Sequence, residues 1–321
     1  MPRTFAVFAA ALILILAPSC RADLLVKDGQ KVAFLGDSIT QYGWYWPGGY
    51  VKLVTAGFAG MGVHITPIPG GVSGNTSADM LARVDADVIS KKPDWVTISC
   101  GVNDVWHGPA GVALDPYKQN ITTIVDKCQA AGIRVLIMTS TPIGEDLPND
   151  NNQKLIPYND FLRQLAQERH LPLADQGNAF QAAIRSAGPH VGFVVTKEGV
   201  HPNADGNQLM AKTLLRAFGA SDVQMAQAVQ AMGQMPDGAF VSDCHLNFDL
   251  GGMTIAEYNK LKAMATAKKM TTLDYCTSLY IGPLKDAFVA HANDTPPANR
   301  FQIEADANRR FLKAVDAMPE P

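Results

Sequence analysis

Short apolar stretches alternate with longer amphipathic stretches along the first two-thirds of the chain. The apolar stretches have the length of buried strands, which we predict over Lys31–Leu35, Val63–Ile68, Trp95–Ser99, Arg134–Thr139 and Leu171–Ala174. Helical periodicity lies between them, over Gly49–Met61, Ala78–Lys91, Asp115–Ala131 and Asn152–Arg169. Each helix is long enough to return the chain to a parallel strand. The pattern therefore predicts an α/β fold with a doubly wound parallel sheet of about five strands.

The pattern changes near Gly219. A last helix of the first type is predicted over Ala204–Phe218, with Asn203 as its N-cap. Beyond it, helical stretches rich in Ala, Met and Lys occupy Val223–Met232, Thr254–Met270 and Phe301–Ala317. We therefore expect one domain over residues 23–219 and a helical C-terminal extension, or appendage, over residues 220–321.

Residues 1–22 have the pattern of a secretory signal peptide. Arg3 precedes the apolar run Phe5–Ala17, and small residues that suit cleavage follow, at Ser19 and Ala22. The run is too short to span a bilayer comfortably, and no later stretch is long enough to do so. We expect a secreted or periplasmic protein without a membrane span. Cys20 offers the alternative of a lipoprotein, but Ala17 stands three residues before it, where Leu is usual.

Composition narrows the range of partners. The chain has 321 residues, with 27 Lys and Arg against 30 Asp and Glu and a net charge of −3, which argues against nucleic-acid binding. Neither a Walker A nor a G-x-G-x-x-G motif occurs. C-x-x-C and H-E-x-x-H are also absent, which leaves no strong zinc signature, and we expect no cofactor. Cys100 and Cys128 fit buried thiols, whereas Cys244 and Cys276 could form a disulfide in an oxidising compartment.

Four polar blocks lie directly after predicted strands or before the last helix of the sheet domain, where such sheets bind ligands. They are Gly36-Asp37-Ser38-Ile39-Thr40, Gly70-Gly71-Val72-Ser73-Gly74-Asn75-Thr76-Ser77, Gly101-Val102-Asn103-Asp104 and Glu198-Gly199-Val200-His201-Pro202-Asn203. A serine in a strand-to-helix turn is a candidate nucleophile, and a histidine beside a carboxylate is a candidate base. Glycine-loop N–H groups and an asparagine amide are candidate donors to an oxyanion.

The four blocks, in this order, resemble those of the SGNH hydrolases, also called the GDSL esterase/lipase family. The resemblance covers the chain from about Lys31 to Phe218. It implies a flavodoxin-like, three-layer α/β fold and a serine ester hydrolase that works through an acyl-enzyme without a metal. The G-x-S-x-G motif of ordinary α/β-hydrolases is absent.

The resemblance also implies a role for each block. Ser38 corresponds to the nucleophile and His201 to the general base. The Ser38 N–H, the Gly74 N–H and the Asn103 amide correspond to the oxyanion hole. The family usually carries Asp three residues before the histidine, where this chain has Glu198. Glu198 either orients His201 or is displaced, which would leave a Ser–His dyad supported by a backbone carbonyl.

Aromatic residues near two of the blocks hint at the substrate. Trp44 begins the segment Trp44-Tyr45-Trp46 after the serine block, and Trp106 and His107 follow Asn103. Aromatic rings can stack on sugars or line an acyl pocket, so acetylated carbohydrate and short-chain or aryl esters both fit. The candidate substrate contacts are Asp37, Trp44, Trp106 and His107, although Asp37 is also suited to shaping its turn.

Two other classes of function remain open. A metal-dependent phosphoesterase would use Asp37, Asn103, Asp104 and His201, and a chelator would then abolish its activity. A non-catalytic carbohydrate-binding protein could have kept the scaffold, and its Ser38→Ala variant would then behave like the wild type.

Overall fold

The computed structural model describes residues 24–46, 48–188, 193–235, 253–292, 294 and 300–318. The predicted signal peptide and Cys244 lie outside the described residues. Within them, one sheet contains five strands in the order β2-β1-β3-β4-β5, and every neighbouring pair is parallel. The strands are β1 Lys31–Gly36, β2 Thr66–Gly71, β3 Trp95–Ser99, β4 Arg134–Met138 and β5 Leu173–Ala174.

The central strands carry the core of the protein. Every residue of β3 is buried, as is all of β1 and β4 after the first residue. Helices cover a parallel sheet on both faces, so its strands are apolar throughout rather than alternating. This arrangement confirms the predicted doubly wound α/β sheet and its flavodoxin-like strand order.

The second strand lies further along the chain than predicted. The prediction of Val63–Ile68 was wrong at both ends, because β2 begins at Thr66 and runs to Gly71. Gly62 turns the chain with a φ of 78°, and the Val63 N–H still bonds to the end of the preceding helix. Two prolines follow in β2, which its position at the sheet edge tolerates. The apolar signal at Val63 therefore reflects packing beside the sheet rather than membership of it.

The helices agree with the predicted pattern to within a few residues, apart from four that were not predicted. The helices of the sheet domain are α1 Ser38–Tyr45, α2 Tyr50–Gly60, α3 Ser77–Asp87, α4 Val102–Trp106, α5 Leu114–Ala130, α6 Asp150–Glu168, α7 Gln176–Ala187 and α8 Ala204–Ala217. Those of the C-terminal part are α9 Asp222–Gly233, α10 Ile255–Ala267, α11 Thr272–Ala290 and α12 Arg300–Asp316. The prediction missed α1, α4, α7 and α11. Two of these are short, and α11 contains an internal proline.

The C-terminal helices pack against the sheet domain at two places. Helix α9 lies closely on α2, where a Cβ on Gly60 would come within 2.5 Å of the Ala231 Cβ. Helix α10 contacts the start of α8, where the Tyr258 hydroxyl bonds to Asp205 at 3.2 Å and Gln208 pairs with Asn259. The appendage is thus helical, as expected. The domain boundary at residue 219 stays a prediction.

Two further expectations concern cysteines and membrane spans. Cys100 and Cys128 are buried free thiols, as predicted. Cys276 is buried in α11, but its proposed partner Cys244 lies outside the described residues, so their pairing stays a prediction. In the part of the chain that the structure describes, none of the helices combines the length and apolar character needed to cross a bilayer.

Candidate active site

Ser38 is the first residue of α1, directly beyond the carboxyl end of β1. Asp37 caps the helix, since its carboxylate accepts a hydrogen bond from the Ile39 N–H at 2.9 Å. Gly36 allows the tight turn, because a Cβ there would lie 2.0 Å from the Thr40 hydroxyl oxygen. The N–H groups of a first helical turn have no partner inside the helix. The local sequence therefore presents both the hydroxyl and the backbone N–H of Ser38 at the ligand edge of the sheet.

His201 and Glu198 lie on the loop between α7 and α8. The Nε2 atom of His201 is 2.8 Å from the Ser38 Oγ, and its Nδ1 is 2.5 Å from Glu198 Oε1. The same carboxylate oxygen accepts the His201 backbone N–H at 2.9 Å. With the proton on Nδ1, Nε2 is the acceptor for the serine hydroxyl. The structure thus brings Ser38, His201 and Glu198 into one hydrogen-bonded series, with Glu198 beside the imidazole rather than displaced from it.

The two carboxyl groups nearest this series, those of Glu198 and Asp37, have pKa values shifted in opposite directions. Burial disfavours the charge of Glu198, but hydrogen bonds from His201 outweigh it and hold the pKa of Glu198 below its ordinary value. The carboxylate is therefore ionised when it faces the imidazole. By contrast, burial raises the pKa of Asp37 to about 6, against the opposing effect of the Ile39 N–H and nearby His201. Asp37 is 2% exposed and caps α1, so it shapes the turn, while a contact with substrate stays a prediction.

Two of the three predicted oxyanion donors, Gly74 and Asn103, lie on neighbouring segments that follow β2 and β3. Gly74 lies in the loop after β2 with a φ of 79°, a left-handed conformation that favours glycine. Asn103 is buried in the first turn of α4, and its Nδ2 donates to the Asn75 carbonyl at 3.0 Å. An amide nitrogen has two protons, so the second remains for a ligand. The contact with Asn75 therefore couples the Asn103 side chain to the Gly74 loop.

Arg83 of α3 holds the same loop in place, a role that was not evident from the sequence. Its Nε donates to the Asn75 side chain at 2.6 Å, its Nη1 to the Gly70 carbonyl at 2.9 Å, and its Nη2 to the Gly36 carbonyl at 2.8 Å. One guanidinium thus joins the turn before Ser38 to both sides of the glycine-rich loop. The available signal was its position beside Val84, on the buried face of an amphipathic helix.

The aromatic residues are placed differently from one another. Trp44 is half-buried and packs against the hydrophobic core. Trp46 instead stacks on Tyr42 at a centroid distance of 4.1 Å, and the Tyr42 ring lies edge-on to His201 at 5.1 Å. The Lys197 ammonium lies 3.6 Å from the centre of the Trp46 ring. The stacked rings of Tyr42 and Trp46 therefore lie on one side of His201, and we call this pair the aromatic wall. The substrate contacts predicted for Trp44, Trp106 and His107 stay predictions. Trp106 and His107 are exposed at the end of α4.

The acidic residues of the phosphoesterase alternative face other partners. Asp104 is buried and accepts hydrogen bonds from the Ser77 N–H at 2.9 Å and the Ser77 hydroxyl at 2.6 Å. Burial raises its pKa, although these bonds oppose the rise. Asp37 is engaged by the Ile39 N–H. Among the described residues, no group of three or more His, Cys, Asp or Glu side chains has an arrangement that could hold a metal ion.

The parallel sheet and the side chains gathered at its edge define a hydrolase of the flavodoxin-like α/β class. Residues 34–209 match the family model of the GDSL-like lipase/acylhydrolase family. The chain therefore belongs to this family of hydrolases, which act on ester bonds, and the resemblance inferred from the four sequence blocks is confirmed.

Proteins similar to this chain include acetylxylan esterases. One from Geobacillus stearothermophilus is 28% identical over 215 residues, which is 60% of this chain and 96% of that protein. The crystal structure of Axe2, an acetylxylan esterase from the same organism, is 28% identical over 62% of this chain and 98% of its own, with a TM-score of 0.55. The acetyl xylan esterase AlAXEase is 32% identical over 58% of this chain and 98% of its own, with a TM-score of 0.54. Other structures of the Geobacillus enzyme are described as catalytic mutants, with a Ser, an Asp or a His replaced by Ala.

Proposed function

We propose that this protein is a secreted serine esterase that removes acetyl or other short acyl groups from carbohydrate. One observation carries the catalytic part of the proposal. The Ser38 hydroxyl lies 2.8 Å from the His201 Nε2, while Glu198 holds the opposite ring nitrogen. A hydroxyl, an imidazole and a carboxylate in this order form the arrangement that activates serine as a nucleophile.

Acylation begins when the Ser38 Oγ attacks the ester carbonyl and passes its proton to the His201 Nε2. The imidazolium that forms is stabilised by the Glu198 carboxylate, which stays ionised. Negative charge then develops on the former carbonyl oxygen, and the Ser38 N–H, the Gly74 N–H and the Asn103 amide donate to it. Collapse of this intermediate breaks the ester bond. The proton on Nε2 goes to the departing alcohol, and the acyl group stays on Ser38.

Deacylation repeats these steps with water as the nucleophile. The His201 Nε2 takes a proton from water, which attacks the acyl-enzyme and forms a second oxyanion in the same hole. The proton then returns to the Ser38 Oγ, and the carboxylic acid leaves. The cycle restores the starting protonation of both side chains, so no external redox partner or group donor is needed.

The carbohydrate part of the proposal has two supports. The two relatives described above are named acetylxylan esterases. The match to the Geobacillus protein covers 96% of that protein's own length. In addition, the leaving alcohol must come within hydrogen-bond reach of the His201 Nε2, because it receives its proton there. The wall of Tyr42 and Trp46 lies beside that ring. Aromatic side chains of this kind suit the apolar face of a sugar ring whose hydroxyl group is the leaving alcohol.

The test is a panel of esters that runs from acetylated xylo-oligosaccharides through p-nitrophenyl acetate to long-chain acylglycerols. We expect turnover of the acetylated substrates and covalent labelling of Ser38 by an organophosphonate. Ser38→Ala should lose both, with a fall in kcat of more than about 10³-fold. Ser90→Ala, which removes an exposed hydroxyl on the same protein, is the matched control and should retain both.

Other outcomes of the panel favour the alternatives. Turnover of p-nitrophenyl phosphate that survives Ser38→Ala but disappears with a chelator would favour a metal-dependent phosphoesterase. Binding of acetylated oligosaccharide without any turnover by the wild type would favour a carbohydrate-binding protein. Turnover confined to long-chain acylglycerols would retain the serine mechanism and overturn the carbohydrate assignment.

Export is supported by the sequence of residues 1–22. Intact-mass analysis of protein purified from a bacterial secretion host tests it. We expect a mature chain that begins after Ser19 or Ala22. A diacylglycerol mass on Cys20 would instead indicate a lipoprotein, and an uncleaved chain in the cytosol would contradict export.

A further inference from the structure

Both the base and its orienting carboxylate lie on a loop rather than on a regular element. The described part of this loop, residues 193–203, contains an isolated bridge between Thr196 and Pro202 before α8 begins. Misplacement of a reacting group by about 1 Å can cost about 10²-fold in rate. The loop that carries His201 must therefore be held in place by contacts from elsewhere in the protein.

Glu145 makes such contacts from the loop between β4 and α6. Its Oε2 accepts the Val194 N–H at 2.6 Å. Its Oε1 accepts the Val195 N–H at 2.9 Å, the Thr196 N–H at 2.8 Å and the Thr196 hydroxyl at 2.7 Å. One carboxylate thus holds three consecutive backbone N–H groups and a side chain. Hydrogen bonds to an ionised acceptor are stronger than those between neutral groups.

The contacts continue from Thr196 to the catalytic side chains. The Thr196 hydroxyl oxygen accepts the Gly199 N–H at 3.1 Å, and the Gly144 N–H donates to the Gly199 carbonyl at 2.6 Å. Gly199 directly follows Glu198 in the chain. The Lys197 N–H in turn donates to the His201 carbonyl at 2.8 Å. The segment that contains Glu198 is therefore held on both sides by Glu145 and its neighbour.

The two residues before Glu145 are anchored to the sheet domain. The Asn152 side chain accepts the Ile143 N–H at 2.8 Å and donates to the Gly144 carbonyl at 3.1 Å. Asn149 donates to the Ile143 carbonyl at 2.8 Å. Asn149 caps α6 and Asn152 lies in its first turn, and α6 packs against β4 of the sheet. The Glu145 carboxylate therefore connects the loop that carries His201 to α6.

We propose that Glu145 is a positioning residue for catalysis, which keeps the His201 Nε2 within reach of the Ser38 Oγ by holding residues 194–199. The proposal rests on the serine mechanism above. Glu145 touches no reacting atom, so its loss should slow the chemical step and leave substrate binding nearly unchanged. Its effect should also depend on the presence of the imidazole that it positions.

The first experiment compares kcat and KM for p-nitrophenyl acetate in three variants. Glu145→Ala removes every contact and should lower kcat about 10²-fold with KM within about twofold. Glu145→Gln keeps an amide oxygen that can replace one carboxylate oxygen, so kcat should fall only about tenfold. Asp146→Asn removes the exposed neighbouring charge and should retain wild-type kcat. Circular dichroism at the assay temperature establishes that each variant is folded.

The second experiment separates positioning from a general structural role. In a His201→Ala background, Glu145→Gln should cause no further loss of the residual activity, because the group that it positions is gone. An unchanged kcat in Glu145→Gln, a loss confined to KM, or an undiminished loss in the His201→Ala background would overturn the proposal. Failure of the serine mechanism itself would give a different result, because the Ser38→Ala variant would then turn over substrate at the wild-type rate.

Discussion

The ionisable side chain of Asp37 is buried. It lies next to Ser38, and its carboxylate caps α1 while burial raises its pKa to about 6 from an ordinary value of 3.8. The folded protein therefore binds this proton more tightly than the unfolded chain does. The resulting stabilisation is fully present below about pH 3.8 and is lost as the pH rises through about 6.

Asp37→Asn should remove this pH dependence, because an asparagine oxygen can still cap the helix but does not titrate. A difference of about two pKa units corresponds to about 3 kcal/mol of unfolding free energy. Relative to the wild type, we expect the variant to gain about that much stability between a pH of about 4 and about 7.5. Urea denaturation of both proteins across this range measures the difference. A constant difference would contradict a raised pKa at Asp37.

The sequence blocks led us to expect that Ser38 and His201 would meet, with Ser38 at the carboxyl edge of the parallel sheet and His201 just before its last helix. Ser38, His201 and Glu198 form the hydrogen-bonded series described above. The choice between Trp44 and Trp46 could not be made in this way. The two residues differ by only two positions at the end of a short helix, and the packing of α1 against the core decides which indole faces inward.

At the scale of elements, one side chain of α3 links the ends of β1 and β2 to the loop that follows β2. Arg83 reaches carbonyls at Gly36 and Gly70 and the side chain of Asn75, whose own carbonyl receives the Asn103 amide. A planar guanidinium can serve these separated acceptors at once, whereas a lysine ammonium concentrates its donors at one point. The position of the proposed oxyanion donors therefore depends on a residue that would not touch substrate.

We expect Arg83→Lys to lower kcat for p-nitrophenyl acetate by about 10–100-fold, which is less than the loss of an oxyanion donor itself. Arg185→Lys replaces an exposed arginine of α7 and serves as the control, with an expected kcat close to that of the wild type. Steady-state kinetics on folded protein measures both. A wild-type kcat in Arg83→Lys would show that the charge alone suffices and that the fork of hydrogen bonds is dispensable.

At the scale of the whole molecule, the C-terminal appendage is joined to the sheet domain by close helix packing. Helices α2 and α9 approach where Gly60 faces the Ala231 methyl and the Gln227 carbonyl. A Cβ on Gly60 would lie 2.8 Å from that carbonyl oxygen, and a backbone atom cannot move as cheaply as a side-chain tip. The absence of a side chain at Gly60 thus sets the distance between the two helices.

Gly60→Ala should therefore destabilise the protein by about 1–3 kcal/mol, because overpacking outweighs the helix propensity that alanine adds. Gly233→Ala is the matched control, since Gly233 also ends its helix but its Cβ would meet Ala256 at an ordinary 3.6 Å. That variant should be neutral or more stable by up to about 1 kcal/mol. Denaturant midpoints compare the two, and equal effects would contradict the packing argument.

The sequence by itself determined the order of the strands along the chain, the type of fold and the identity of the chemical groups, because hydrophobic periodicity and short motifs are local properties. Only the tertiary structure decided where β2 begins and which residues hold the site together. Arg83 and Glu145 act through backbone groups up to 51 positions away, and backbone acceptors and donors look the same at every residue. Their partners are therefore set by how the loops pack, which no local pattern encodes.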